Sequence, residues 1–244
     1  MTIVLKLGGS VITDKSQPEA IDESALHTAA STIASTDESV ILTHGGGSFG
    51  HHYASKYSVS QHEGTRDITA IDEIHESMKD LNSAVLRSLR AQNIPAVPVH
   101  PFSWGYRQQN GDLILPLKHI EIQCQEGFVP VLHGDVITTE ENGVTILSGD
   151  EIVVEIANQL LVDRIGLCSS VPGVLRDGSV IPEITSFEEI ESFVAGSESA
   201  DVTGGMAGKV QTLLTLDVPA TIFGLSDLSA FLEGNDVGTT INPK

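Results

Sequence analysis

Short apolar segments alternate with segments of helical periodicity along the 244 residues of the chain. Several of the apolar segments are continuous, which is typical of strands that are buried on both faces of a parallel sheet. Parallel strands need long crossover connections, and helices usually provide them. The pattern predicts strands at Ile3–Leu7, Val40–Thr43, Ala96–Val99, Phe128–Leu132, Arg164–Cys168 and Ala220–Phe223.

Three of the intervening segments carry apolar residues at helical spacing. Apolar side chains recur every three or four residues from Ile71 to Leu89, a second stripe runs from Ile152 to Leu161, and a third runs from Val210 to Leu216. His75 lies at the edge of the first stripe, and we interpret it as a partly buried helix residue.

Two Asn-Gly pairs, Asn110-Gly111 and Asn142-Gly143, interrupt this alternation. Asn-Gly favours the two-residue turn of a β-hairpin, so each pair is expected to join antiparallel strands. The chain shows no internal repeat and no linker-like segment. We therefore expect a single α/β domain over residues 1–244, in which a mostly parallel central sheet lies between helices and carries β-hairpin insertions. A ligand would bind at the carboxyl ends of the strands.

The charge of the chain excludes several classes of partner. With 13 Lys and Arg against 33 Asp and Glu, the net charge is −20, which repels nucleic-acid phosphates and anionic lipids. No apolar run approaches the roughly 18 residues of a membrane span, and the N-terminus does not resemble a signal peptide, so we expect a cytoplasmic protein. Cys124 and Cys168 are far apart, which indicates reduced thiols rather than a disulfide or a zinc site.

Two glycine-rich segments each follow a predicted strand. Lys6–Ser10 leaves the first strand, and His44–His51 leaves the second. Glycine lets backbone N–H groups approach a ligand closely, and a helix that begins after such a loop adds partial positive charge. Two such loops after consecutive strands predict two anionic groups held close together. A tight strand–helix turn is the alternative for either loop alone.

The lysines favour anion binding. Only seven lysines occur in the chain, and Lys6, Lys15 and Lys209 accompany glycine-rich segments. In a chain of net charge −20, local positive charge must offset the long-range repulsion of an anionic substrate. We therefore interpret these three lysines as phosphate-binding groups rather than as surface charges.

Two common nucleotide-binding motifs do not fit. Gly45, Gly47 and Gly50 satisfy the dinucleotide-binding pattern G-x-G-x-x-G, but they follow the second predicted strand rather than the first. The acidic residues at the spacing that ribose binding requires do not lie on a predicted strand. The segment 204–209 lacks the first glycine of a P-loop, and no Ser or Thr follows its lysine. His51 closes the second loop, where an imidazole can donate a hydrogen bond to a bound phosphate. No histidine spacing in the chain indicates a zinc site.

Four segments, in this order, resemble the amino acid kinase superfamily: Lys6–Ser10, His44–His51, Ser148–Asp150 and Thr203–Lys209. The opening Lys-x-Gly-Gly-Ser marks the superfamily, and the loop that ends in His51 resembles its isopentenyl phosphate kinase branch, from an archaeal route to isoprenoids. The resemblance covers essentially the whole chain. It implies an amino acid kinase-like fold and transfer of the γ-phosphoryl group of ATP, with Mg²⁺, onto isopentenyl phosphate, which yields isopentenyl diphosphate and ADP. It also implies a homodimer.

The resemblance further implies roles for individual residues. It places nucleotide contacts at Lys6, Gly8, Gly9, Ser10, Gly47, Gly205 and Lys209. It places acceptor contacts at Gly46, His51 and Gly149. Catalytic roles are implied for Lys6, Lys15, His51 and Asp150, with Lys15 as the transition-state stabiliser and Asp150 as the acid that orients the lysines or the metal. Residues 1–147 would form mainly the acceptor side, and residues 148–244 mainly the ATP side.

One segment departs from the family pattern, and competing functions stay open. Family members commonly carry acidic residues after the later strand, where this chain has Cys168–Val174, so we assign no side-chain role to Ser169 or Ser170. The alternatives are a fosfomycin-type phosphonate kinase, another member of the superfamily or, outside enzymes, a nucleotide-binding sensor or storage module. A passive binder needs no transition-state lysine, so the presence of the lysines together with Asp150 favours a kinase.

The charge also predicts a dependence on salt. The acidic residues repel each other over a Debye length of about 30 Å at 0.01 M salt but only about 3 Å at 1 M. A salt-rich cytosol, as in salt-adapted organisms, therefore screens this repulsion. We therefore expect the thermal unfolding midpoint to rise from dilute buffer to molar KCl, by roughly 2–4 °C for each kcal/mol of repulsion that is screened. Equal stability and equal monodispersity in both buffers, measured by calorimetry and light scattering, would contradict this interpretation.

Overall fold

The predicted strands form the centre of one eight-stranded sheet. The computed structural model describes residues 1–14, 16–190 and 205–242. Its strands are β1 (Thr2–Leu7), β2 (Ser39–His44), β3 (Ala96–Pro98), β4 (Tyr106–Arg107), β5 (Leu113–Ile114), β6 (Val129–His133), β7 (Asp135–Thr139), β8 (Gly143–Leu147), β9 (Arg164–Ser169), β10 (Leu175–Arg176), β11 (Ser179–Val180), β12 (Glu183–Ile184), β13 (Ala220–Gly224) and β14 (Thr239–Ile241). Its α-helices are α1 (Gly9–Ile12), α2 (Glu23–Ile33), α3 (Gly47–Lys56), α4 (Ile68–Ala91), α5 (Lys118–Gln125), α6 (Gly149–Gln159), α7 (Gly205–Leu213) and α8 (Leu228–Leu232).

The sheet has the strand order β12-β14-β13-β9-β1-β2-β6-β3. Its neighbouring strands run parallel except for the antiparallel pair β13 and β14, so the prediction of a mostly parallel sheet is confirmed. β1 lies between β2 and β9, and β6 follows β2. The carboxyl ends of these four strands therefore meet at one edge, where both glycine-rich segments leave the sheet.

Helices cover both faces of the sheet, as predicted. Successive residues of a strand point to opposite faces, and β1 follows this rule. Ile3, Leu5 and Leu7 pack in one apolar cluster with α2, α4 and α8, whereas Val4 packs in a second cluster with α5, α6 and α7. Lys6 shares the parity of Val4, so its side chain points toward α6.

The apolar stripes correspond to helices, but two of the predicted stripes extend too far. The stripe of α4 is confirmed, since its positions from Ile74 to Leu89 are buried. The second stripe is wrong at its end, because α6 stops at Gln159 and Leu161 is 99% exposed. Leu160 is already in an extended conformation there, as the chain turns toward β9. α7 likewise ends at Leu213, and the predicted residue Leu216 is buried beyond the helix.

Both predicted hairpins are present, and they combine into a second sheet. β4 pairs with β5 across Asn110-Gly111, and β7 pairs with β8 across Asn142-Gly143, both antiparallel. β4 also pairs with β7 in parallel, which gives the order β5-β4-β7-β8. Within this small sheet, the β7–β8 hairpin is separated from β6 by Gly134 and from α6 by Ser148, so it borders the carboxyl edge of the large sheet. Within the described ranges, the helices are all too short or too polar to cross a membrane.

The two glycine loops touch each other directly. A Cβ atom on Gly9 would lie 2.0 Å from the backbone nitrogen of Gly47, which itself has a φ of +51°. Thr13 joins the loops, because its hydroxyl donates to the carbonyl of Gly9 (2.7 Å) and accepts from the backbone N–H of Ser48 (3.0 Å). The first loop and the start of α3 therefore form one unit.

This contact predicts that Gly9→Ala is strongly destabilising. The added methyl group must displace backbone rather than a flexible side chain, so we expect the free energy of unfolding to fall by about 2–3 kcal/mol, together with activity. The matched control is Gly224→Ala, where the nearest atom to the new Cβ is 3.4 Å away and the backbone is extended. Chemical denaturation of both variants would test the contact, and equal losses at the two positions would argue against it.

Candidate active site

A cavity lies where the four central strands end. It is bounded by the last residues of β9, by residues that follow β1, β2 and β6, and by the N-termini of α3 and α6. Helix N-termini present unpaired N–H groups and partial positive charge, so this edge favours anions. Ten of the residues predicted from the sequence line this cavity: Lys6, Gly8, Gly9, Ser10, Gly46, Gly47, His51, Gly149, Asp150 and Lys209.

Two lysines and one carboxylate form the centre of the cavity wall. Lys6 is only 6% exposed, and its Nζ lies 2.6 Å from Oδ1 of Asp150. Lys209, from α7, places its Nζ 3.2 Å from the other carboxylate oxygen. The two cations share one anion, so this cluster keeps a net positive charge next to the glycine loops.

The start of α6 determines where Asp150 lies. The hydroxyl of Ser148 accepts from the backbone N–H of Glu151 (3.2 Å), and the carboxylate of Glu151 accepts from the backbone N–H of Ser148 (2.8 Å). This reciprocal pair is a capping box, which makes the helix begin at Gly149. Asp150 consequently occupies the first turn, where the helix dipole favours a negative charge.

Asp150 stays ionised although it is buried. Burial by itself raises the pKa of a carboxyl group, but the ammonium groups of Lys6 and Lys209 outweigh this effect and lower the pKa of Asp150 to about 2. Asp150 is therefore ionised at neutral pH and balances only one of its two lysine partners. A net positive charge at this place is suited to phosphate groups.

His51 and Gly46 belong to the second loop. Gly46 precedes the first residue of α3, and His51 lies one turn into that helix, with both lining the cavity. Gly149 lies across the cavity at the start of α6, and a Cβ there would be 3.1 Å from Cε of Lys6. The three predicted acceptor contacts thus line the same cavity as Lys6.

Two predicted residues are not placed in this wall. Gly205 begins α7 with a φ of +61°, but it does not line the cavity, although Lys209 one turn later does. A positive φ is unfavourable for residues other than glycine, so Gly205 is required by the backbone conformation at the start of α7. Lys15, Thr203 and Gly204 lie outside the described residues.

The sequence interpretation missed several cavity residues. Ile74 and Met78, interpreted chiefly as core residues, are buried and also line the cavity. Asp135 lines it as well, with its Oδ2 atom 2.8 Å from Nδ1 of His75. The position of Asp135 directly after a buried strand was an available indication, but its pairing with a helix residue was not. Ser169 borders the cavity, and the hydroxyl of Ser10 lies 3.3 Å from that of Ser170.

Comparisons with known proteins agree with this site. A model of the amino acid kinase family matches residues 1–216. The isopentenyl phosphate kinase of Haloferax volcanii is 53% identical over 242 residues, which cover 98% of each chain. This chain belongs to the isopentenyl phosphate kinase family.

Other isopentenyl phosphate kinases support the assignment to the family. The protein from Methanocaldococcus jannaschii is 35% identical over 229 residues, which cover 87% of this chain and 86% of that one. A solved X-ray structure of an isopentenyl phosphate kinase superimposes with a TM-score of 0.86 at 29% identity, over 99% of this chain and 100% of the other. The family resemblance and the fold predicted from the sequence are therefore both confirmed.

The buried cluster predicts that Lys6 is essential for turnover. Lys6→Met removes the ammonium group but keeps the length of the side chain, so we expect kcat to fall on the order of 10²-fold, which corresponds to the loss of about 3 kcal/mol of transition-state stabilisation. The control is Lys118→Met, whose parent side chain is 72% exposed and pairs with Glu121 on α5. Steady-state kinetics on both variants measure this effect. A wild-type kcat in Lys6→Met would contradict a role of Lys6 in catalysis.

Proposed function

We propose that this protein transfers the γ-phosphoryl group of ATP to isopentenyl phosphate and releases isopentenyl diphosphate and ADP. The single observation that carries this proposal is the buried cluster of Lys6, Asp150 and Lys209 between two touching glycine loops. Such a site can hold two phosphate groups against each other. The relatives that cover nearly the whole chain are named for the same reaction class.

The reaction requires positioning of the two substrates and neutralisation of charge rather than a strong base. A phosphomonoester has its second pKa near 6, so its attacking oxygen is already anionic at neutral pH. Catalysis then depends on in-line positioning and on stabilising the charge that spreads over the transferred group. Lys6 and Lys209 supply the positive charge, the loop and helix N–H groups supply donors, and His51 holds the acceptor phosphate. Lys15 is proposed to stabilise the transition state.

The strand order suggests where each substrate binds. Ser169 is the last residue of β9 and Lys209 extends from α7, so this side of the cavity is proposed for ATP. Gly46 and His51 follow β2 on the other side of β1, so that side is proposed for the acceptor. The two ligands would then meet above Lys6, at the end of β1. This division matches an acceptor half in residues 1–147 and an ATP half in residues 148–244.

The apolar part of the cavity favours an acceptor with a hydrocarbon tail. Ala54, Ile74 and Met78 line the cavity on the side of His51. An apolar wall next to a phosphate site fits a short prenyl phosphate better than it fits a small polar phosphonate such as fosfomycin. The sequence alternative of a phosphonate kinase is therefore the weaker candidate.

We infer that Mg²⁺ enters this site together with ATP. Among residues 1–14, 16–190 and 205–242, no group of three or more His, Cys, Asp or Glu side chains is arranged to hold a metal ion. Both carboxylate oxygens of Asp150 face ammonium groups. The phosphate oxygens of ATP are then the main ligands, as is common for Mg²⁺. Assembly as a homodimer stays a prediction from the family resemblance.

A panel of acceptors tests the proposed function. ADP release is measured in molar KCl with isopentenyl phosphate, dimethylallyl phosphate, fosfomycin and acetylglutamate, and we expect isopentenyl phosphate to give the highest kcat/KM. His51→Ala should impair the use of the acceptor more than that of ATP, whereas His27→Ala, on the exposed side of α2, should leave both unchanged. Preference for fosfomycin would identify a phosphonate kinase, and ATP binding without turnover of any acceptor would identify a sensor.

A further inference from the structure

Two carboxylates line the cavity in the part of the chain that the structure describes, and their counter-ions differ. Asp150 pairs with Lys6 and Lys209, whose ammonium groups lower its pKa to about 2, so this carboxylate stays ionised near neutral pH. Asp135 pairs with the imidazole of His75, which can gain or lose a proton in that range. The charge of one half of the cavity is therefore fixed, whereas the charge of the other half can change.

The carboxylate of Asp135 is held in one orientation. Its side chain is 0% exposed, although the residue borders the cavity. Oδ1 accepts from the backbone N–H of Val136 at 2.8 Å, and Oδ2 lies 2.8 Å from Nδ1 of His75. His75 is 19% exposed, so its ring connects the buried carboxylate to the solvent side of α4.

The pair lies on the acceptor side of the cavity. Gly134, which precedes Asp135, packs so closely on the start of α6 that a Cβ would be 3.4 Å from the backbone nitrogen of Gly149. Gly149 is an acceptor contact in the proposed function. The helix that carries His75 also carries Ile74 and Met78, which form the apolar wall of the same side.

The other ionisable groups around the pair come from four elements. His44 of β2 and His133 of β6 are fully buried, and burial lowers the pKa of His44 to about 4 and that of His133 well below its usual value. His100, after β3, has its Nδ1 2.8 Å from Nε2 of His133, and partial burial lowers its pKa as well. These three rings are neutral at pH 7.

The charged neighbours on α4 lie at the helix surface. Glu76 and Lys79 form an ion pair there, and their side chains are 53% and 36% exposed. Lys79 also lowers the pKa of Asp135, but solvent screens this interaction. The state of the Asp135–His75 pair therefore sets the charge beside the acceptor together with the ring of His51, which lines the same cavity from α3.

We propose that Asp135 and His75 share one proton and thereby set the charge of the acceptor half of the cavity, so that a phosphate dianion is admitted while the pair holds the proton and is repelled after the proton leaves. The identity of the acceptor rests on the proposed function. Asp135 is in this scheme a positioning residue, because it acts on the acceptor through its charge and not by contact with the reacting atoms.

The pKa shifts have the sign that this scheme needs. Burial raises the pKa of Asp135 to about 6, an effect that the hydrogen bond with His75 partly opposes. The hydrogen bond with Asp135 raises the pKa of His75 above its ordinary value of 6.5. Between the pKa of Asp135 and the raised pKa of His75, the pair keeps one proton and is neutral overall. As the pH rises through the pKa of His75, the proton leaves and one negative charge remains.

The test compares KM values across pH. The KM of the wild-type protein for isopentenyl phosphate should rise on the order of threefold to tenfold from pH 7 to pH 9, because the acceptor is a dianion throughout and meets one added negative charge. The KM for ATP should change much less. Asp135→Asn keeps the shape and removes the charge, so it should abolish the rise. Asp80→Asn, the same change on the exposed side of α4, should retain it.

A second readout does not depend on turnover. NMR titration of the His75 ring should show a pKa above 6.5 in the wild-type protein and a lower pKa in Asp135→Asn. An unchanged ring titration, or the same rise of KM in Asp135→Asn as in the wild-type protein, would overturn the inference. If Asp135→Asn does not fold, His75→Gln replaces it. The midpoint of the rise of KM should then move, because the buried carboxyl group of Asp135 titrates without its imidazole partner, and an unchanged midpoint would overturn the inference. If the wild-type protein does not use isopentenyl phosphate, the proposed function is refuted. The NMR titration of His75 then tests by itself whether Asp135 and His75 share a proton.

Discussion

The site depends on one buried ammonium group. Lys6 is the next-to-last residue of β1, an inner strand of the large sheet, in a chain whose net charge is −20, and it is almost inaccessible to water. A buried charge is costly unless it is paired, and Asp150 is the residue that pairs with it. Buried ion pairs contribute little net stability in general, so the value of this pair lies in its geometry. It holds an ammonium group at the place where two phosphate groups can meet.

That geometry is a consequence of two local structures that meet only in the fold. The capping box of Ser148 and Glu151 determines where α6 begins, and therefore where Asp150 points. The contact between Gly9 and Gly47 determines how closely the loops after β1 and β2 approach each other. Because β1 and β2 are neighbours in the sheet, both structures face the same cavity. Glycine is required at the contact for a steric reason, whereas the capping box depends on hydrogen bonds.

Local sequence patterns explain why much of the fold and part of the candidate site could be predicted from the sequence. Continuous apolar runs mark buried parallel strands, and glycine-rich segments after them mark the ligand edge, so β1, β2 and the glycine loops of the cavity could be predicted. The end of α6 was misjudged because apolar spacing continues through Leu161 after the helix has ended. The pairing of Asp135 with His75 joins residues 60 positions apart, and no local pattern encodes it. The same is true of the small sheet, in which β4 and β7 come together only in the tertiary structure.

The two carboxylates of the cavity show how a very acidic protein can still bind anions. Of its 33 acidic residues, only Asp135 and Asp150 line the cavity within the described ranges, and each has a cationic or titratable partner. At the proposed point of transfer the partners of the carboxylate are lysines, which lower its pKa and keep it ionised. Beside the proposed acceptor site the partner is a histidine, so the field there can vary by one charge. A constant electrostatic field at the transferred group keeps the transition state stabilised when the pH changes. Variation is confined to the side where it alters binding of the acceptor, which is the step that tolerates it.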